Sequence, residues 1–195
     1  MPDAEGIREI AYFDCRGGGQ VVVDGTTAYV GHTTGPEATT IIDVEDPANP
    51  RQLAQIECNH EGVHAHKVRV QDGLMLTNYE SKAYAGTPDE GFRGGLNITD
   101  VSDPAHPKHI HFWPCDKSGV HRFTYDGRYA YISPEFDDYI GNIVVILDLK
   151  DPTKPEEVGR WHMPGQWIGG GEEPTWEADA HRCHHPIRMG NRLYT

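Results

Sequence analysis

The sequence predicts an all-β chain organised as a β-propeller of four-stranded antiparallel blades, and two recurring turn motifs predict it. The first is the octet Asp43-Val44-Glu45-Asp46-Pro47-Ala48-Asn49-Pro50, which returns as Asp100-Val101-Ser102-Asp103-Pro104-Ala105-His106-Pro107 and as Asp148-Leu149-Lys150-Asp151-Pro152-Thr153-Lys154-Pro155. The second is an Asp-Gly pair ahead of each octet: Asp24-Gly25, Asp72-Gly73 and Asp126-Gly127. Tandem copies of one supersecondary unit, with loops of variable length between them, are the mark of a repeat array. A sandwich of meanders is the competing arrangement. Three registered copies of two different turns favour radial stacking around a channel.

Each element of the unit has a local cause. The Asp-Gly pairs lie between apolar runs, as Val21-Val22-Val23 and Ala28-Tyr29-Val30 show, and Gly tolerates the positive φ that a tight hairpin turn demands. Aliphatic residues such as Val144-Val145-Ile146-Leu147 precede the octets and mark a third strand. Asp-Pro then ends that strand, because proline fixes φ and lacks the N–H that a ladder needs. A further apolar stretch follows the second Pro, as in Val158-Gly159-Arg160-Trp161. The predicted blades are 20–57, 64–114 and 121–162, with a partial fourth at 181–195. Ile7-Arg8-Glu9-Ile10-Ala11-Tyr12-Phe13 alternates as a strand does and is expected to complete another blade. Gly190-Asn191 stands where a fourth turn belongs, so the sequence stops in mid-blade and is expected to be a segment of a longer propeller.

Composition narrows the function classes. Seventeen Lys and Arg against thirty Asp and Glu give a formal charge of −13, which argues against nucleic acid or an anionic membrane as partner. No apolar run approaches the length of a membrane span, and Met-Pro-Asp-Ala-Glu-Gly does not resemble a signal peptide. The expectation is a soluble, cytoplasmic protein without disulfides. Cys15, Cys58 and Cys115 each end a fourth strand, where they serve as small packing residues or as soft metal ligands.

Strand direction puts the Asp-Gly and octet turns at one end of each blade and the longer loops at the other. Those loops run from Asn78 to Gly95, from Pro134 to Tyr139 and from Pro164 to Trp176. Binding residues tend to sit on loops that a rigid scaffold presents, so the site is expected at the loop end.

The repeat resembles that of the LVIVD-repeat β-propeller proteins. The matching residues are Ala28-Tyr29-Val30 with Ile42-Asp43-Val44, Asn97 to Pro107, and Tyr129-Ala130-Tyr131 with Ile146-Leu147-Asp148-Leu149. The resemblance implies the fold and says little about activity, because a fold does not fix a function.

Histidines mark the blade starts: Gly62-Val63-His64-Ala65-His66, Gly119-Val120-His121-Arg122, and Asp179-Ala180-His181-Arg182-Cys183-His184-His185. First strands line the channel, so these imidazoles are expected to converge at its mouth. There His64, His66, His121, His181 and His184 are candidate ligands for a divalent transition metal, Zn, Cu, Fe or Mn. The competing reading is that they are structural or touch substrate. Blade one offers Gly17-Gly18-Gly19-Gln20 instead. Glu80 and Glu135 end second strands, where blade one has His32, and a carboxylate beside a metal can act as ligand or as general base. Glu135, stiffened by Pro134, is the preferred base, with His121 as the second catalytic candidate. The function expected is a metal-dependent propeller enzyme acting on a small molecule, by oxidoreduction, elimination or hydrolysis. The alternative is a non-catalytic interaction scaffold.

Overall fold

The computed structural model describes residues 6–58, 60–83, 87–177 and 181–195. The first sheet orders β1 (Gly18–Asp24), β2 (Thr27–His32), β3 (Glu37–Asp43) and β4 (Arg51–Glu57) as an antiparallel meander. The second is β5 (Val63–His64), β6 (Val68–Gln71), β7 (Leu74–Ser81), β8 (Gly94–Asp100) and β9 (Lys108–Cys115); its inner strand is split, and both β5 and β6 pair with β7. The third is β10 (Val120–Tyr125), β11 (Tyr129–Pro134), β12 (Val144–Asp148) and β13 (Glu156–Trp161). A hairpin of β14 (Ile187–Met189) and β15 (Arg192–Tyr194) follows. Among the described residues the one helical element is a 3-10 turn at Ile168–Gly170, and no helix is long and apolar enough to cross a membrane.

The turns close as their chemistry dictates. Asp72 and Gly73 both take positive φ, 53° and 74°, which a primed two-residue turn requires. In each octet two aspartates cap the backbone in series. Asp43 Oδ1 accepts from the Glu45 N–H and Asp46 Oδ1 from the Ala48 N–H, with equivalent bonds at Asp100 and Asp103 and at Asp148 and Asp151. The residue after the first Asp reaches back to the hairpin turn: Val44 N–H to Thr26, Val101 N–H to Gly73 and Leu149 N–H to Arg128. The two kinds of turn thus pin each other at one end of every sheet.

The sheets pack face to face. Tyr29 and Ile41 of the first meet Val68 and Met75 of the second, and Leu76, Leu96 and Ile98 of the second share a core with Phe123, Ile132 and Leu147 of the third. A fully buried aliphatic or aromatic side chain of this size contributes about 1.5–3 kcal/mol. Inner strands lie side by side, β1 against β6, β6 against β10 and β10 against β14. Ile7 to Phe13 forms no strand, and Ile7 and Tyr12 are 78% and 79% exposed. A strand exists only by pairing, and among the described residues no sheet pairs with this segment.

A one-residue irregularity recurs on the inner strands. The register of β1 with β2 shifts between Gly18 and Val21, and that of β10 with β11 shifts between Val120 and Phe123. The pairs Val63 with Ser81 and Val68 with Thr77 show the same offset in the second sheet. Each inner strand therefore carries a bulge in which two residues face one: Gly19-Gln20 opposite Gly31, His66-Lys67 opposite Asn78, and His121-Arg122 opposite Ser133. Bulges re-aim side chains and cluster beside functional sites.

Candidate metal centre

Hydrogen bonds fix the equivalence of the bulges. The Lys67 N–H donates to Asn78 Oδ1 at 2.9 Å, and the Arg122 N–H donates to Ser133 Oγ at 3.0 Å. Asn78 Nδ2 donates across to the carbonyls of Val120 and His121, and Ser133 Oγ across to that of His184. His66, His121 and His184 are thus equivalent positions on successive inner strands, with Gly19 as the fourth. This corrects the register read from the sequence, which aligned His64, His121 and His181. The bulge shifts the strands by one residue, and the hairpin turns differ in length: Asp24 pairs with Thr27 and Gln71 with Leu74, whereas Tyr125 pairs with Ala130.

His64, His66 and Glu80 form the buried floor of this group, each offering a ligand atom within 4.8 Å of the others. The His64 and His66 rings lie 3.7 Å apart between centroids. The His64 Nδ1–H donates to the Thr33 carbonyl at 2.6 Å, which places the lone pair on Nε2. The His121 Nδ1–H donates to Glu80 Oε1 at 2.7 Å, so the carboxylate orients that ring as an outer partner orients a ligand. Two buried atoms of the group have no hydrogen-bond partner among the described residues, His66 Nδ1 and Glu80 Oε2. Buried polar atoms are seldom left so unless something else occupies the site. His184, exposed, stands 5.0 Å from His121 between ring centroids and forms the open side.

Electrostatics favour the neutral form of two of the rings. Burial lowers the His64 pKa below its ordinary value, outweighing the Thr33 hydrogen bond. Burial also lowers that of His184, helped by the charges of Arg122 and His121. Neutral imidazole is the ligating form. Beside the rings, burial and then the neighbouring Arg122 bring the Lys67 ammonium down to about 8.

Two sequence candidates stand elsewhere. The His181 ring packs edge-on against Trp176, centroids 4.5 Å apart, and its carbonyl accepts from Gln166 Nε2. Both carboxylate oxygens of Glu135 are engaged, one by a very short bond from Ser118 Oγ and the other by Arg182 Nη2 at 2.8 Å. The acid that stands with the histidines is Glu80, although both glutamates end second strands. Its partner is the histidine of the next bulge, whereas Glu135 meets an arginine two residues ahead of its neighbour's bulge. In the first sheet the residue equivalent to these glutamates is Thr33, not His32, since His32 pairs with Gly18 as Pro134 pairs with Val120.

Lys67 and Arg122 were not singled out in the sequence. The signal was available, since each directly follows a histidine of the cluster, but an isolated His-Lys or His-Arg pair reads as surface. The Cys58, Cys115 and Cys183 thiols are pushed up by burial, which suits packing residues rather than thiolate ligands. Trp167 stacks on Tyr139 and touches His162, sealing the flank of the third sheet. A cavity of about 470 Å³, lined by residues that include Gln55, Tyr79, Asn97 and His109, lies away from the histidines on the outer strands of the first two sheets.

No curated protein matches the chain. The family model of the LVIVD repeat matches residues 91–111 and 125–162, which hold the second and third octets with the strands that flank them. These two stretches of the chain carry LVIVD repeats.

Proposed function

We propose that the sheets are blades of a β-propeller whose channel mouth holds a divalent transition metal, and that the protein is a metal-dependent enzyme acting on a small molecule. One observation carries this reading: His64, His66 and Glu80 offer three ligand atoms within 4.8 Å of one another, with His66 Nδ1 and Glu80 Oε2 buried and without a hydrogen-bond partner among the described residues. The inner strands of successive sheets packed side by side support the propeller, and the three bulges that aim side chains at one place support a site there.

In this reading His64 and His66 hold the ion from the buried floor, and His121 approaches from the next blade with its ring set by Glu80. His184 closes the group from the exposed side. Imidazole and carboxylate donors suit Zn, Cu, Fe or Mn. A bound ion would act as a Lewis acid and lower the pKa of a coordinated water. Glu80 is the acid placed to ligate or to move a proton; Glu135, held by Ser118 and Arg182, orients the neighbouring strand.

Elemental analysis of the purified protein tests this. The expected result is one transition metal per chain, with His66→Ala and His121→Ala each weakening metal binding about ten- to a hundredfold or more. Absence of stoichiometric metal, before and after incubation with Zn, Cu, Fe or Mn salts, would leave the scaffold reading in its place.

A further inference from the structure

Each bulge contributes two side chains, and the histidines account for only one of each pair. The second members are Gln20, Lys67 and Arg122, followed by His185. Lys67 is 4% exposed, yet its ammonium makes no hydrogen bond or ion pair with any described residue. Arg122 donates its backbone N–H to Ser133, but its Nε is buried without a partner and its guanidinium makes no ion pair among the described residues. The two lie close enough for each to feel the other's charge, and both act on His184. Arg69 adds a third cation nearby, already tied to Gln20 Oε1 at 2.8 Å. Against these stands Glu80, whose Oε1 already accepts from His121. A chain of formal charge −13 thus gathers positive charge beside the histidines.

Like charges brought together out of water are unfavourable unless a counter-charge joins them. Two adjacent cationic donors with unused N–H groups form a fork for an oxyanion, and guanidinium matches carboxylate and phosphate geometry. We propose that Lys67 and Arg122 bind the oxyanion of the substrate, a carboxylate or phosphate group, beside the histidine cluster. The proposal rests on the reading of that cluster as the reactive centre. It adds that the substrate is a small anionic molecule, anchored by its charge on the second residues of the bulges while its reacting end meets the first.

Titration calorimetry with inorganic phosphate and with malonate tests it, on the protein stripped by chelator and again after zinc loading, with chloride at matched ionic strength as the control. The expected result is saturable binding of at least one anion in both forms, phosphate alone marking a phosphate group and malonate alone a carboxylate. Lys67→Met and Arg122→Gln should each weaken it about tenfold or more, while His66→Ala leaves the stripped protein's affinity within about threefold. Lys67→Met removes a charge that has no ion-pair partner among the described residues and keeps an apolar chain of similar length, so it should melt no lower than wild type; if it does melt lower, Arg122→Gln decides. Binding by neither anion in either form overturns the proposal and leaves the metal reading intact. Binding that survives Lys67→Met and Arg122→Gln but vanishes in His66→Ala also overturns it, since the anion then sits on the metal. Anion binding that depends on Lys67 in a protein that takes up no metal upholds the anion site while the metal reading fails.

Discussion

At the turn end of the sheets, Asp46, Asp103 and Asp151 each close a bond to an N–H two residues on, and Asn49, His106 and Thr153 add side-chain bonds within three residues. Their carboxyls are all held below the ordinary range, Asp46 chiefly by Asn49, Asp103 by His106 and Asp151 by Thr153. At the loop end the partners are far apart in sequence: Asn78 with Val120, Glu80 with His121, Ser133 with His184. There, too, three buried polar atoms have no partner among the described residues. The turn end is assembled from short-range bonds and is complete in itself, whereas the loop end depends on the sheets meeting. One repeat supplies both, because strands that end in self-sufficient turns leave their opposite termini free to diverge.

Mutations at the two ends should therefore differ in scale. Asn78 is fully buried, caps the second bulge and donates to the next inner strand, so Asn78→Ala leaves several buried groups unsatisfied. We expect a loss of about 3 kcal/mol, roughly a 10 °C fall in melting temperature for a chain of this length. Asn78→Ser, which installs the residue that performs this task at Ser133, should recover part of it. An Asn78→Ala protein that melts with wild type would show that the sheets are not tied through their bulges.

A smaller effect should appear on acidification. His32 is buried, its ring bonded to the Arg16 carbonyl at 2.9 Å and to Thr40 Oγ1 at 2.8 Å, and burial lowers its pKa below the ordinary 6.5. The unfolded chain then takes up the proton first. The contribution of the neutral ring is present in full above pH 6.5 and is lost as pH falls from there through the folded value. Melting temperature should thus drop on going from pH 7.5 to pH 5.5, and His32→Asn should flatten that slope. A slope unchanged in His32→Asn would assign the acid sensitivity to the clustered histidines instead.

The smallest effect belongs to the turns. Asp46→Ala removes a fully solvated cap whose bonds all stay within the octet, and its melting curve should superimpose on that of the wild type. A marked loss would mean that the octets hold the sheets together as well as ending their strands.

The same division explains what could be read in advance. The octets and Asp-Gly pairs carry their cause in adjacent residues, so the antiparallel strands around them were legible. The histidines were legible as a group, but their register was not. A bulge adds one residue without any marking glycine or proline, as at His121-Arg122, and it moves every side chain before it to the other face. Glu80 and Glu135 look alike in sequence because what separates them is the residue each meets on the following sheet, His121 in one case and Arg182 in the other. The alternation of Ile7 to Phe13 says that the segment suits a strand, but it cannot supply an edge to pair with.

Gly19 gives this asymmetry a consequence for engineering. A Cβ placed there would lie 2.9 Å from the Cβ of His66, and one at the facing Gly31 would lie 2.6 Å from the Ala65 carbonyl oxygen. The first sheet therefore accepts the second at a spacing that no substituted residue permits. The repeat is not an exchangeable cassette: histidine can be moved among positions 66, 121 and 184, but copying it to position 19 would wedge two sheets apart. Any redesign of the centre has to draw its donors from three neighbouring sheets and leave the fourth wall as bare backbone.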